Sequence, residues 1–292
     1  MFLQVNGQNT YCYTGGKPFD AAKPTVVFIH GVLNDHSVWA LQTRYFAHHG
    51  WNVLAPDLPG HCKSGGEPPR SVAQAAQFIV ALLDAAGVTK AALVGHSFGS
   101  LTALQAAATA PERVSHLVLV ATACPMKVSP ALLDNSLHQP MKAIEMVNTF
   151  SHSMLAPPPS ALGPGTWLYG SSRALMRRVL ASNSRVNLFH TGFKACDDYS
   201  GGETAMDKVQ CPVLFVLGRN DSMNLPKMAQ PLIAIARNAK TVLLDAGHQL
   251  MTEAPDGVLL ALKDFLAGAE PPQTGSAPFW GQGVARGGAD TP

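Results

Sequence analysis

Six short apolar runs, at 25–29, 52–55, 91–94, 116–120, 213–217 and 241–244, constrain this chain more than any other feature. Each is dominated by Val, Leu, Ile, Phe or Ala, without regular polar alternation. Such strands are buried on both faces, as in parallel sheets covered by helices. Helical patterns lie between them. Residues 71–86 carry apolar side chains at helical spacing, with Gly87 just past the end. Residues 100–109 are mostly Ala, Leu and Gln, and Pro111 follows. Residues 256–266 read as a terminal amphipathic helix. Residues 2–14 alternate weakly around Asn6-Gly7, a hairpin that opens the sheet. Strands alternating with helices imply βαβ units. The expected fold class is α/β, a mostly parallel sheet flanked by helices.

One region breaks the rhythm. Residues 125–203 show no strand pattern, and they hold helical stretches at 131–150 and 172–180 and a Pro run at 157–159. This reads as a helical cap inserted after the sixth strand. The expected division is a core of 1–124 and 204–269, a cap of 125–203, and a disordered Gly- and Pro-rich tail of 270–292. A length of 292 residues allows one domain with an insertion. A 47% hydrophobic share with only 14% charged residues suits a large core.

The sharpest local signal is Gly95-His96-Ser97-Phe98-Gly99, a G-x-S-x-G pentapeptide between an expected buried strand and a strong helix. That context is what a nucleophile elbow demands: a serine on a strained strand-to-helix turn. The flanking glycines allow close backbone approach, and the helix N-terminus favours a developing oxyanion. A serine hydroxyl needs an adjacent base. Of eleven histidines, His248 follows the last expected strand, so it lies at the same carboxyl edge of the sheet as Ser97. His96 adjoins Ser97, but its ring points away. The orienting acid is expected at Asp221, just after the strand at 213–217. The strand at 116–120 is followed by Ala121-Thr122-Ala123-Cys124-Pro125, with no carboxylate. Asp245 is a competitor three residues before His248.

The order Ser97, Asp221, His248 resembles the α/β-hydrolase superfamily, in its lid-bearing, cofactor-free serine hydrolase and esterase branch. The resemblance spans about residues 2–268. It includes His30-Gly31 after the third strand and Asp57-Leu58-Pro59-Gly60-His61 after the fourth. It implies that the backbone N–H groups of Val32 and Phe98 bind the oxyanion. Cys62 stands where the family pattern has Gly, which implies a changed loop conformation. Ser100 stands where many carbon–carbon-bond hydrolases carry a second Gly. Serine at position 97 separates the chain from relatives that attack with a carboxylate.

Other function classes find little support. Net charge is +2, so nothing favours nucleic acid or an anionic membrane. No P-loop and no G-x-G-x-x-G is present. His48-His49 and Asp57 with His61 lack metal-site spacing, so neither metal nor cofactor is expected. The five cysteines are scattered and odd in number, which suits free thiols in a cytoplasmic protein. No signal peptide is expected, and no apolar run reaches the length of a membrane span. Oligomeric state is left open.

The expected reaction is hydrolysis of small to medium apolar esters through an acyl-enzyme on Ser97. Trp167, Met126, Met146 and Met176 are expected to line a deformable pocket under the cap. Arg173, Arg177 and Arg178 lie at helical spacing as a solvated face or a carboxylate reader. Two alternatives remain: another chemistry on the same residues (carbon–carbon-bond hydrolase, perhydrolase or acyltransferase), or a slow-turnover ligand sensor.

Overall fold

The computed structural model describes residues 1–20, 22–154 and 166–267. The Pro run at 157–159 and the tail at 270–292 lie outside the described residues.

Strands β1 (Phe2–Val5) and β2 (Gln8–Tyr13) pair antiparallel. Asn6 and Gly7 between them have φ of 50° and 72°. That positive-φ pair is what a two-residue type I′ hairpin turn requires. Six further strands follow: β3 (Thr25–Ile29), β4 (Asn52–Pro56), β5 (Ala91–His96), β6 (Val114–Val120), β7 (Val213–Gly218) and β8 (Ala239–Leu244). They form one eight-stranded sheet in the order β1-β2-β4-β3-β5-β6-β7-β8. β2 joins β4 antiparallel, and every pairing from β4 across to β8 is parallel.

The side-chain period of two splits each central strand between two cores. Val27, Ile29, Leu93, Leu117 and Phe215 face one side, covered by α2 (Val72–Ala85) and α3 (Phe98–Thr109). Val26, Phe28, Val94, Val118 and Val216 face the other, covered by α1 (Ala40–His48) and the terminal helix α11 (Pro255–Leu266). Every residue of β3, β4, β5 and β7 is buried, which is why these runs are continuously apolar. β8 is the edge and exposes Lys240, Thr241 and Leu243.

Between β6 and β7 the described residues form α4 (Pro130–His138), α5 (Pro140–Ser151), α6 (Leu168–Ala181), α7 (Leu188–Asp198) and α8 (Gly202–Lys208). After β7 come α9 (Gln230–Ile235) and, after β8, α10 (Leu250–Glu253). The single helical stretch expected at 131–150 is two helices. Gln139 leaves helical geometry at φ −138° and ψ 62°, and Pro140 starts the next helix. Proline has no N–H to donate and disfavours helix at the residue before it. The α1 helix escaped the periodicity argument because Gln42 and Thr43 occupy its inward face beside Phe46 and Ala47. The insertion has a core of its own, in which Leu132, Ile144, Val147, Met176, Val179 and Phe189 pack with Leu33 from the loop after β3. Among the described residues no helix is long and apolar enough to cross a membrane.

Candidate active site

Ser97 sits between β5 and α3 with φ 53° and ψ −119°, a strained backbone for a residue with a Cβ. Its glycine neighbours make the turn sterically possible. A Cβ at Gly95 would overlap the Gly99 carbonyl, and one at Gly99 would overlap the Ile29 carbonyl. The Ser97 N–H donates to Val120 O at 3.0 Å. Its carbonyl accepts from the Ser100 hydroxyl at 2.6 Å, and Ser100 Oγ in turn accepts from the Thr122 hydroxyl at 2.9 Å. Ser100 therefore braces the turn from below.

Asp221 and His248 come from the loops after β7 and β8. His248 Nδ1 donates to Asp221 Oδ2 at 2.8 Å, and both residues are buried. The other Asp221 oxygen accepts from Met223 N and Asn224 N, each at 2.8 Å. Three donors thus hold the carboxylate in one orientation. The two loops interlock, because a Cβ at Gly218 would lie 2.6 Å from Ala246 O. Asp245 instead pairs with Arg219 at 2.7 Å on the surface. The His248 N–H donates to Ser151 O at 2.7 Å, across to the end of α5.

The histidines around this centre are neutral struts. His96 donates from Nε2 to His248 O at 2.9 Å. Burial, then the neighbouring His248, pushes its pKa down to about 3. His30 donates from Nδ1 to Gly31 O at 2.9 Å, and its Nε2 accepts from Leu58 N at 3.1 Å. Burial lowers its pKa as well. His30 thereby ties the loop after β3 to the loop after β4. The bracing by His96 was missed from sequence, where only its turning away from Ser97 was read.

The loop after β3 approaches Ser97 closely: a Cβ on Gly31 would lie 3.2 Å from Ser97 Cβ. Val32 follows in that loop. Phe98 is the first residue of α3, where an N–H has no partner within the helix. Cys62 has φ 45°, the left-handed region that the Gly of the family pattern takes without strain.

Ser97 and His248 open on one cavity of about 270 Å³. Met126, Leu132, Met146, Phe150 and Phe193 supply most of its apolar wall. Two of the four expected pocket residues, Met126 and Met146, are therefore on the wall. The other two are not among its lining residues. Trp167 is 56% exposed, its ring stacked on Tyr169. Met176 is buried in the insertion's own core, where helix packing uses its bulk. Phe150 and Phe193 were missed because aromatic residues in an amphipathic helix read as core. Arg178 donates to Asp35 at 2.6 Å and Arg173 pairs with Glu145 at 2.7 Å.

Asp35, His36 and Asp57 place their ligand atoms within 4.8 Å of one another. These atoms are engaged within the protein: Asp57 Oδ1 accepts from His36 Nδ1 at 2.7 Å, and Asp35 Oδ2 accepts from Arg178. The cluster braces the loops after β3 and β4.

Comparison with known proteins agrees with this architecture. Residues 24–155 match the family model described as alpha/beta hydrolase fold. The chain is 26% identical over 259 residues to the sn-1-specific diacylglycerol lipase ABHD11 of Mus musculus, covering 85% of this chain and 82% of that protein. It is 28% identical over 262 residues to the pimeloyl-[acyl-carrier protein] methyl ester esterase of Neisseria meningitidis serogroup B, covering 85% and 95%. The enol-lactonase of Burkholderia xenovorans superposes with a TM-score of 0.78 at 22% identity, over 91% of this chain and 100% of that one. With the sheet order, the elbow and these likenesses together, the chain has the alpha/beta hydrolase fold and is a hydrolase.

Proposed function

We propose that this hydrolase cleaves small to medium apolar carboxylic esters through an acyl-enzyme on Ser97. One observation carries the reading: Ser97 and His248 open on the same apolar cavity while His248 Nδ1 is held by Asp221. His248 takes the Ser97 proton as the hydroxyl attacks the ester carbonyl. Asp221 holds the tautomer and balances the imidazolium that forms. The N–H groups of Val32 and Phe98 receive the oxyanion. The proton then passes from His248 to the leaving alcohol. Water, activated by the same histidine, releases the acid.

In this reading residues 125–203 form a cap over a core of 1–124 and 204–269. A cavity of about 270 Å³ lies just under the roughly 300–1,000 Å³ range of small-molecule pockets, which supports short to medium acyl chains. The esterases among the relatives support a small-molecule ester as substrate. All five cysteines are free thiols, and a cytoplasmic location goes with this reading.

The test is hydrolysis of p-nitrophenyl esters from acetate to decanoate by wild type and Ser97→Ala. Steady turnover, lost by about 10⁴-fold in the variant, is the expected result. A single stoichiometric burst, or turnover that survives the substitution, overturns the assignment.

A further inference from the structure

A glycine in the interior of a helix weakens it relative to alanine, so Gly192, inside α7, needs a packing reason. Val32 supplies one. A Cβ at Gly192 would lie 3.0 Å from Val32 Cγ1 and 3.1 Å from Val32 Cγ2. Both methyl groups face the helix, so turning the valine to another staggered position still leaves one of them there. A side chain at position 192 is therefore accommodated by moving the Val32 backbone.

The turn that carries Val32 is fixed on both sides. The Asn34 N–H donates to Gly31 O at 3.3 Å and closes it. Leu33, its third residue, has φ 55°, a conformation that normally selects glycine or asparagine there. Leu33 holds it because its side chain is fully buried among Leu132, Ile144, Val179 and Phe189 of the insertion. One residue beyond the turn, Asp35 Oδ2 accepts from Arg178 of α6 at 2.6 Å. On the other side Gly31 backs onto the elbow, where its Cβ would lie 3.2 Å from Ser97 Cβ. Residues 31–35 are thus wedged between Ser97 and the insertion.

We propose that Gly192 is a positioning residue: the close approach it allows between α7 and the Val32 side chain sets where the Val32 N–H lies relative to Ser97. This role rests on the esterase reading above, in which that N–H receives the oxyanion. The insertion then serves the reaction twice from α7. Phe193 walls the acyl cavity, and Gly192, one residue before it, seats the oxyanion loop. The two roles separate in kinetics. Every ester develops the same oxyanion, whereas a displaced apolar wall acts according to acyl chain length.

The experiment compares wild type, Gly192→Ala, Val32→Ala and the double variant on p-nitrophenyl acetate and hexanoate, with urea melts to check folding. Deleting an oxyanion donor costs about 10²–10³ in kcat, and Gly192→Ala shifts the donor without deleting it. A fall of about tenfold in kcat is expected, equal for both esters, with KM within about twofold of wild type. Val32→Ala takes away both methyl groups and keeps the N–H. In that background, adding Gly192→Ala is expected to change kcat by less than about twofold. An alkyl trifluoromethyl ketone, which forms an oxyanion on Ser97, is expected to bind Gly192→Ala about tenfold more weakly. Should Gly192→Ala fail to fold, Leu33→Ala releases the same turn and is expected to lower kcat alike on both esters with KM little changed. A kcat within about twofold of wild type in Gly192→Ala, a loss that follows chain length, or a loss as large in the Val32→Ala background overturns the positioning role. Ser97-dependent hydrolysis by wild type then leaves the esterase reading standing. If neither ester is hydrolysed in a Ser97-dependent way, the esterase reading fails and takes the positioning role with it.

Discussion

Glu253 is 1% exposed, and a single oxygen of its carboxylate serves three donors. Oε2 accepts from Gly247 N at 3.1 Å, from Ser153 N at 3.0 Å and from the Ser153 hydroxyl. Gly247 precedes His248, and Ser153 belongs to the insertion, so one side chain ties the histidine loop to the segment after α5. Glu253→Ala leaves two backbone N–H groups without that acceptor. Gly247 N–H is buried while Ser153 is exposed and can turn to water, so at about 1–3 kcal/mol for a buried unsatisfied group we expect a loss of about 1–3 kcal/mol in urea melts. Turnover should fall more than KM rises, because the loop that carries His248 loosens and the apolar wall does not. Glu253→Gln keeps an acceptor oxygen and should recover most of both. A Glu253→Ala melt within about 0.5 kcal/mol of wild type would show that these bonds carry no stability. The placement of Ser97, Asp221 and His248 at one edge of the sheet was legible in sequence because each sits just after an apolar run. Glu253 was not, because Ser153 is 100 positions away and nothing local marks the pairing.

At the scale of elements, α4, α5 and α7 build the apolar wall through Leu132, Met146, Phe150 and Phe193. Burying a methylene is worth about 0.8 kcal/mol, so taking away room for two costs about tenfold in binding. Met146→Phe is expected to shorten the preferred acyl chain by about two carbons, with kcat/KM for longer p-nitrophenyl esters down by about that factor. Trp167→Ala, at the exposed start of α6, is expected to keep the wild-type chain-length profile. A profile that shifts with Trp167 and ignores Met146 would place the acyl chain elsewhere. The helices themselves were partly legible. Residues 71–86 read as a helix because the apolar spacing and Gly87 agree; the structure adds Ser71 as the cap of α2, accepting from Gln74 N. Which side of an insertion helix meets substrate was not legible, since Met146 on the wall and Met176 in the core have the same chemistry and similar local sequence.

The whole molecule inherits an acid sensitivity from what lies packed at the carboxyl edge of its sheet. The parallel class of that sheet was plain from its apolar runs, but the position of β4 between β2 and β3 has no local signature and comes from packing alone. That packing encloses His30, His61 and His96, at 0%, 7% and 1% exposure. Burial, then His30, pushes His61 down to about 4, and burial, then His248, pushes His96 down to about 3. In the unfolded chain a histidine titrates near about 6.5. Below that pH the unfolded state takes up protons that the native state refuses, so stability falls as pH falls. Each such group contributes at most about 1.4 kcal/mol per pH unit, and the two together roughly 2–3 kcal/mol per unit between pH 6 and 5. The carboxylates act later and in the same direction. Burial opposes ionisation of Asp35, but hydrogen bonds from Ser37 and Arg178 outweigh it and bring it to about 2. Its stabilisation holds above about pH 4 and is lost as pH falls towards 2. Urea melts at pH 7, 6 and 5 should therefore show a falling midpoint before any carboxylate titrates. His61→Gln removes one titrating ring while offering Pro59 O, the present partner of His61 Nδ1 at 3.0 Å, a donor in its place. Its melts should lose up to about 1.4 kcal/mol per pH unit less than wild type over the same interval. A wild-type midpoint that stays level from pH 7 to 5 would mean that these rings are hydrated or charged in the native state.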